Sequence, residues 1–128
     1  MRVDRVVTAK HVVERSRFHA MLTPVAALDE MHELVKTCRR EHRRANHHCW
    51  ACRLRDERGG VQESARDDGE VGHPGQVLLE VLRKYDLEGA VIVSRVFGGV
   101  KLGVGGVSRA FREAAELAVA AFLAERGG

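Results

Sequence analysis

Between Phe97 and Gly106 the chain reads Phe-Gly-Gly-Val-Lys-Leu-Gly-Val-Gly-Gly, five glycines around a single lysine. Glycine lets backbone come close to a bound group, and amides left free at the start of a following helix attract an anion. Gly98, Gly99, Gly103, Gly105, Gly106 and Lys101 are therefore candidates for holding a phosphate, with Arg95, Arg109 and Arg112 flanking them. A groove built from Arg95, Lys101 and Arg109 would neutralise several phosphates without reading bases. The same glycines also suit a tight structural turn that needs positive φ, and both readings stand. The spacing matches neither the Walker A loop nor the dinucleotide fingerprint, which disfavours nucleotide hydrolysis.

Two further groups invite a chemical reading. Asp67, Asp68 and Glu70 in Asp-Asp-Gly-Glu could hold a magnesium ion or serve as acid and base, although Asp and Gly are equally the residues of a turn, with Arg66 at hand as partner. His47, His48, Cys49 and Cys52 contain a Cys-x-x-Cys spacing suited to zinc or thiol chemistry. On a strand, however, Cys49 and Cys52 point to opposite faces, and no helix follows Cys49 as the redox context requires. Buried small residues and a hydrogen-bonded histidine are expected there. The sequence assigns no metal and no cofactor.

The elements that must position these groups follow from hydrophobic period. Val3–Val13 and Arg17–Val25 read as an opening antiparallel pair that Pro24 closes. From Ala27 to about Arg43, Leu28, Met31, Leu34, Val35 and Cys38 recur every three or four residues, which is one face of a helix. Its end carries Lys36, Arg39, Arg40, Arg43 and Arg44, where the helix dipole favours cations and where a nucleic-acid patch is the other reading. His47–Leu54 and Val61–Ser64 read as strands joined across Gly59-Gly60, and the 66–75 stretch as a loop. Pro74 suits the first turn of a helix bearing Leu78, Val81, Leu82 and Tyr85. Ala90–Phe97 is a nearly unbroken apolar strand, and Val107 to Phe122 keeps helical period up to Gly127. The order is β-β-α-β-β-α-β-α, read as a two-layer α+β sandwich of a mixed, mostly antiparallel sheet with its helices on one face.

The 128 residues suit one domain, which would bury roughly two-thirds of its unfolded surface without a staple. The odd cysteine count, three, argues against a secreted disulfide framework. No apolar run reaches the roughly 20 residues of a membrane span, and the first ten residues lack a signal-peptide pattern, so a cytoplasmic protein with no membrane partner is expected. A net charge of +3 does not announce a nucleic-acid binder by itself, leaving local patches to make that case.

Four motifs then occur in order: Ser16-Arg17-Phe18, Ala45-x-His47-x-Cys49-Trp50-Ala51, Asp67-Asp68-Gly69-Glu70, and Arg95-x-Phe97-Gly98-Gly99-x-Lys101-Leu102-Gly103-x-Gly105-Gly106-x-x-Arg109-Ala110. Together they resemble the N-terminal domain of the IMPACT family over about residues 16–111. The resemblance implies a fold like the second domain of ribosomal protein S5 and a link to translation, with RNA or a ribosome-associated protein as partner. The sequence departs from the family where Pro and a Gly-Thr-Ala-Gly stretch usually follow the acidic motif, here Val71-Gly72-His73-Pro74-Gly75, and at Val96, where an aromatic is usual. With the sequence ending near Gly128, the ferredoxin-like second domain of bacterial relatives is expected to be absent.

The expected function is a translation-associated binding module acting through the basic glycine loop. Two alternatives are an enzyme that uses the Asp-Asp-Gly-Glu loop with His47 on a phosphorylated substrate, and a protein-docking surface at Arg39, Arg40 and Arg43. Oligomeric state is not encoded in any motif.

Overall fold

A computed structural model describes residues 1–127, the last two by backbone alone. The strands are β1 (Val7–Val13), β2 (Ser16–Thr23), β3 (His47–Arg55), β4 (Val61–Arg66) and β5 (Gly89–Val96). The α-helices are α1 (Met31–Glu41), preceded by a 3-10 turn at Leu28–Glu30, α2 (Pro74–Lys84) and α3 (Gly103–Gly127). The strands form one sheet in the order β1-β2-β5-β3-β4. The α+β class and the element order expected from the sequence are those of the structure.

Two details differ from the expectation. Every pair of named strands is antiparallel; the parallel element is an isolated Arg2–Glu88 bridge that ties down the N-terminus. The helices also divide between the faces. Phe18, Ala20, Leu22, Cys49, Ala51, Val91 and Val93 pack with α2 and α3, whereas Ala90, Ile92, Cys52 and Leu54 pack with Met31, Val35 and Cys38 of α1. The apolar run of β5 therefore comes from its central position with a helix on each side, a burial pattern that sequence alone shares with parallel strands.

The larger core is centred on Phe18 and Phe111, whose rings meet edge to face at 5.2 Å, an arrangement the ring quadrupoles favour. On the other face α1 lies over β3 and β5, with Met21 of β2 at the margin of its core. The residues of β1 and β2 that share this face include Thr8, Lys10, Arg17 and His19, too polar to continue a core, so that half of the sheet stays open.

The β1–β2 turn places both Glu14 (φ 47) and Arg15 (φ 67) in the left-handed region, the geometry of a two-residue hairpin turn matched to strand twist. Gly98 lies directly against it: a Cβ there would sit 2.2 Å from the Arg15 carbonyl carbon. Only glycine fits between the hairpin and the strand end.

Candidate functional site

The register of β3 against β5 pairs His47 with Arg95 at one end of the sheet, and the β4–α2 loop carrying the acidic motif folds over this pair. Glu70 Oε2 accepts a hydrogen bond from the Arg95 guanidinium at 3.0 Å and lies 3.7 Å from His47 Nε2. His47 Nδ1 is 2.8 Å from the Asp68 carbonyl oxygen; a carbonyl only accepts, so Nδ1 carries a proton. The Asp68 carboxylate accepts from the His48 backbone N–H at 2.8 Å, and the Asp67 carboxylate from the Gly75 N–H at 2.8 Å. The Cys49 thiol donates to the Asp67 carbonyl. The three acidic side chains are thus engaged in holding their own loop to β3, β5 and the start of α2.

Arg95 is buried, with its guanidinium 5.5 Å from the Phe18 ring centre and 5.7 Å from that of Phe97. Its Nε has no hydrogen-bond partner. Asn46 completes the end of the sheet: its N–H donates to the Arg95 carbonyl, and its Oδ1 accepts from the Phe97 N–H at 3.0 Å. Asn46, His47, Arg95 and Phe97 line a shallow hollow of about 200 Å³. All four sequence motifs converge here, because Phe18 and Ser16 close the cluster from β2, where Ser16 Oγ accepts from the Gly98 N–H.

The phosphate site expected from the sequence is split by the fold. Arg95 belongs to the cluster with Glu70, while Lys101 and Arg109 line a second hollow of about 410 Å³ with Gly106, Glu14 and Glu113. The glycine loop is also shorter than expected, since α3 begins at Gly103; Gly103, Gly105 and Gly106 are its first turn, and Gly99 (φ 89) and Gly103 (φ 74) hold left-handed backbone. A helix's first amides lack intrahelical acceptors, and no acidic residue stands in this turn. Glu113 is engaged by His11 at 2.6 Å.

The thiols are arranged for packing. Cys49 and Cys52 lie in separate cores on opposite faces, and burial pushes the Cys52 thiol up to about 11 and that of Cys49 up as well. Protonated thiols make neither nucleophiles nor good metal ligands. Among the described residues, no group of three or more His, Cys, Asp or Glu side chains is placed to hold a metal.

Residues 14–119 match the family model of the Impact N-terminal domain. The chain belongs to the IMPACT family. It is 40% identical over 102 residues to the IMPACT family member YvyE of Bacillus subtilis, covering 78% of this chain and 46% of that protein. It is 33% identical over 109 residues to the IMPACT family member YigZ of Escherichia coli, covering 82% and 52%. The chain thus spans about half the length of these IMPACT relatives. A crystal structure of an hypothetical protein superposes with a TM-score of 0.80 at 30% identity, over 90% of this chain and 57% of that one. The two-domain translational regulator Yih1 shares the fold of this IMPACT domain, with a TM-score of 0.55 at 23% identity over 92% and 45% of the two chains.

The sequence marked Arg40, Arg43 and Arg44 but not the open half of the sheet beside them, where His19 and His42 stack with ring centres 4.3 Å apart. The signal was present in the alternation of Arg17, His19 and Met21 along β2. It acquires meaning only when Lys10 of β1 is placed opposite His19.

Proposed function

We propose that this chain is a translation-associated, cytoplasmic binding module that contacts RNA phosphates through the glycine-built first turn of α3 together with Lys101 and Arg109. The observation that carries the reading is this exposed turn of glycines, whose first amides lack intrahelical acceptors and which holds no carboxylate of its own, beside Lys101 and Arg109 in one hollow with Glu14 and Glu113. Amides aimed along a helix axis favour a bound anion, and the neighbouring cations add sequence-independent attraction. Membership of the IMPACT family and the shared fold of a translational regulator support the translational setting. No described helix is long and apolar enough to cross a membrane. Arg95 takes a different part from the one its sequence position suggested: its charge is matched by Glu70, and it holds the acidic loop against the sheet.

The test is a titration of single-stranded and structured RNA at several salt concentrations, with wild type and the double variant Lys101→Ala, Arg109→Ala. Each phosphate contact to a single strand contributes about 0.7 to the slope of log affinity against log salt, so the double variant should lower the slope by about 1.4. Affinity that responds neither to salt nor to the double variant would remove RNA and leave a ribosome-linked protein as the partner to seek. The enzyme reading is disfavoured by the engagement of Asp67, Asp68 and Glu70 in backbone and ion-pair contacts.

A further inference from the structure

We infer that the open half of the sheet, on the α1 side and separate from the α3 turn, is a second binding surface whose occupant is single-stranded RNA, held more tightly as His19, stacked on His42, takes up a proton. Two adjoining hollows of about 390 and 330 Å³ run across this face and share His19, Glu41 and His42 as their divide. The first reaches Lys10 on β1, and the second reaches Arg17 on β2 and Arg40, Arg43 and Arg44 at the end of α1. Lys10, Arg17, Arg40, Arg43 and Arg44 thus stand against one carboxylate, Glu41. None of the five forms an ion pair among the described residues. Several arginines elsewhere are matched, as Arg53 is with Glu63 and Asp86, Arg83 with Glu63, and Arg95 with Glu70.

The arrangement fits a strand of RNA better than an acidic protein. The cations are spread along a track, as a run of phosphates requires, and the track passes a pair of stacked aromatic rings within 12° of parallel. Flat rings on an open sheet beside a basic groove are the usual elements of single-strand recognition, where bases stack and phosphates are neutralised. The surface is open because β1 and β2 present Lys10, Arg17 and His19 where a core would need apolar residues.

The rings also make the affinity sensitive to acid. The groups around His19 are Lys10 from β1, Arg17 from its own strand, Ser94 from β5 with His48 of β3 bonded to it, and Cys38, Arg40, Glu41 and His42 from α1 and its end. Burial first, then the charges of His42, Arg17 and Lys10, hold His19 below its ordinary value of 6.5. A charged His19 has no ion-pair partner among these neighbours, and a phosphate placed beside it supplies the missing counter-charge. Binding would then draw a proton onto His19.

The inference accepts the RNA partner proposed above and adds a second face for it; the experiment separates the two. Affinity for a fluorescent single-stranded oligoribonucleotide would be measured between about pH 6 and pH 7.5, the range in which histidine changes charge. The proteins are wild type, His19→Gln with His42→Gln, Arg40→Gln with Arg43→Gln and Arg44→Gln, and Lys101→Ala with Arg109→Ala. Wild type should bind several-fold to about tenfold more tightly per pH unit on acidification, the limit set by one proton taken up. The histidine variant should lose this gain. The exposed arginines can be replaced without disturbing the core, and their triple variant should lower the salt slope by about 2.1, from three contacts. Lys101→Ala with Arg109→Ala should retain the acid gain. Loss of all binding in that last variant, with no effect of the arginine triple, would overturn this inference and leave the α3 site standing. An arginine effect without one at α3 would do the reverse. Binding of poly-glutamate as tight as that of RNA would also overturn it, in favour of an acidic protein surface.

Discussion

The guanidinium of Arg95 donates to Glu70 Oε2 at 3.0 Å with the two side chains only 8% and 4% exposed, which joins the end of β5 to a loop 25 residues earlier in the chain. Truncating one partner of such a pair leaves the other charge buried and unmatched. Glu70→Ala should therefore cost about 3–5 kcal/mol, all the more because Arg95 Nε already lacks a partner. Urea denaturation of Glu70→Ala, Arg95→Met and the double variant should show the double costing clearly less than the sum. Additive costs would mean that the two residues act independently.

The glycines of the loop should separate into structural and exposed positions. Gly98→Ala forces a Cβ to 2.2 Å from the backbone of Arg15 and should destabilise by about 1–3 kcal/mol, the usual range for overpacking, or more. A Cβ at Gly105 meets nothing within 4 Å, so Gly105→Ala should be neutral or stabilising by up to about 1 kcal/mol. Thermal unfolding checks both. A Gly105→Ala protein that is more stable yet weaker in RNA binding would tie that glycine to ligand contact.

Stability should fall away on both sides of a plateau in pH. Burial first, then the nearby charge of Arg39, holds His48 below its ordinary 6.5, in a buried bond with Ser94 Oγ at 2.7 Å. The unfolded chain then binds protons more readily, so stability present above 6.5 is lost as pH falls through and below that value. His19 shifts the same way. On the alkaline side burial raises Cys38 and Cys52 from 9.0 to about 11; their contribution is complete below 9 and disappears as pH rises toward 11. Urea midpoints measured across this range should show the plateau, and His48→Gln should flatten its acid side. An acid limb unchanged in that variant would assign it to His19 or the carboxylates.

The residues that make contact at the site were legible in the chain; their pairing was not. Arg95, Glu70 and His47 were all marked by type and by motif, yet sequence offered Arg95 to a phosphate and Glu70 to a metal or proton. Only the antiparallel register of β3 on β5 puts His47 opposite Arg95 and lets the acidic loop close over both, turning candidate chemistry into a salt-linked clasp.

What the sequence by itself determined is local: which segments are helix or strand, since the 3.6 and 2.0 periods are written in the order of apolar residues, and the family, since its motifs are linear. The assignment of faces was decided by tertiary structure. Periodicity shows that α1 has an apolar side but not which sheet face receives it. That choice leaves Lys10, Arg17, His19 and His42 together on open sheet, and it depends on strand neighbours far apart in the chain.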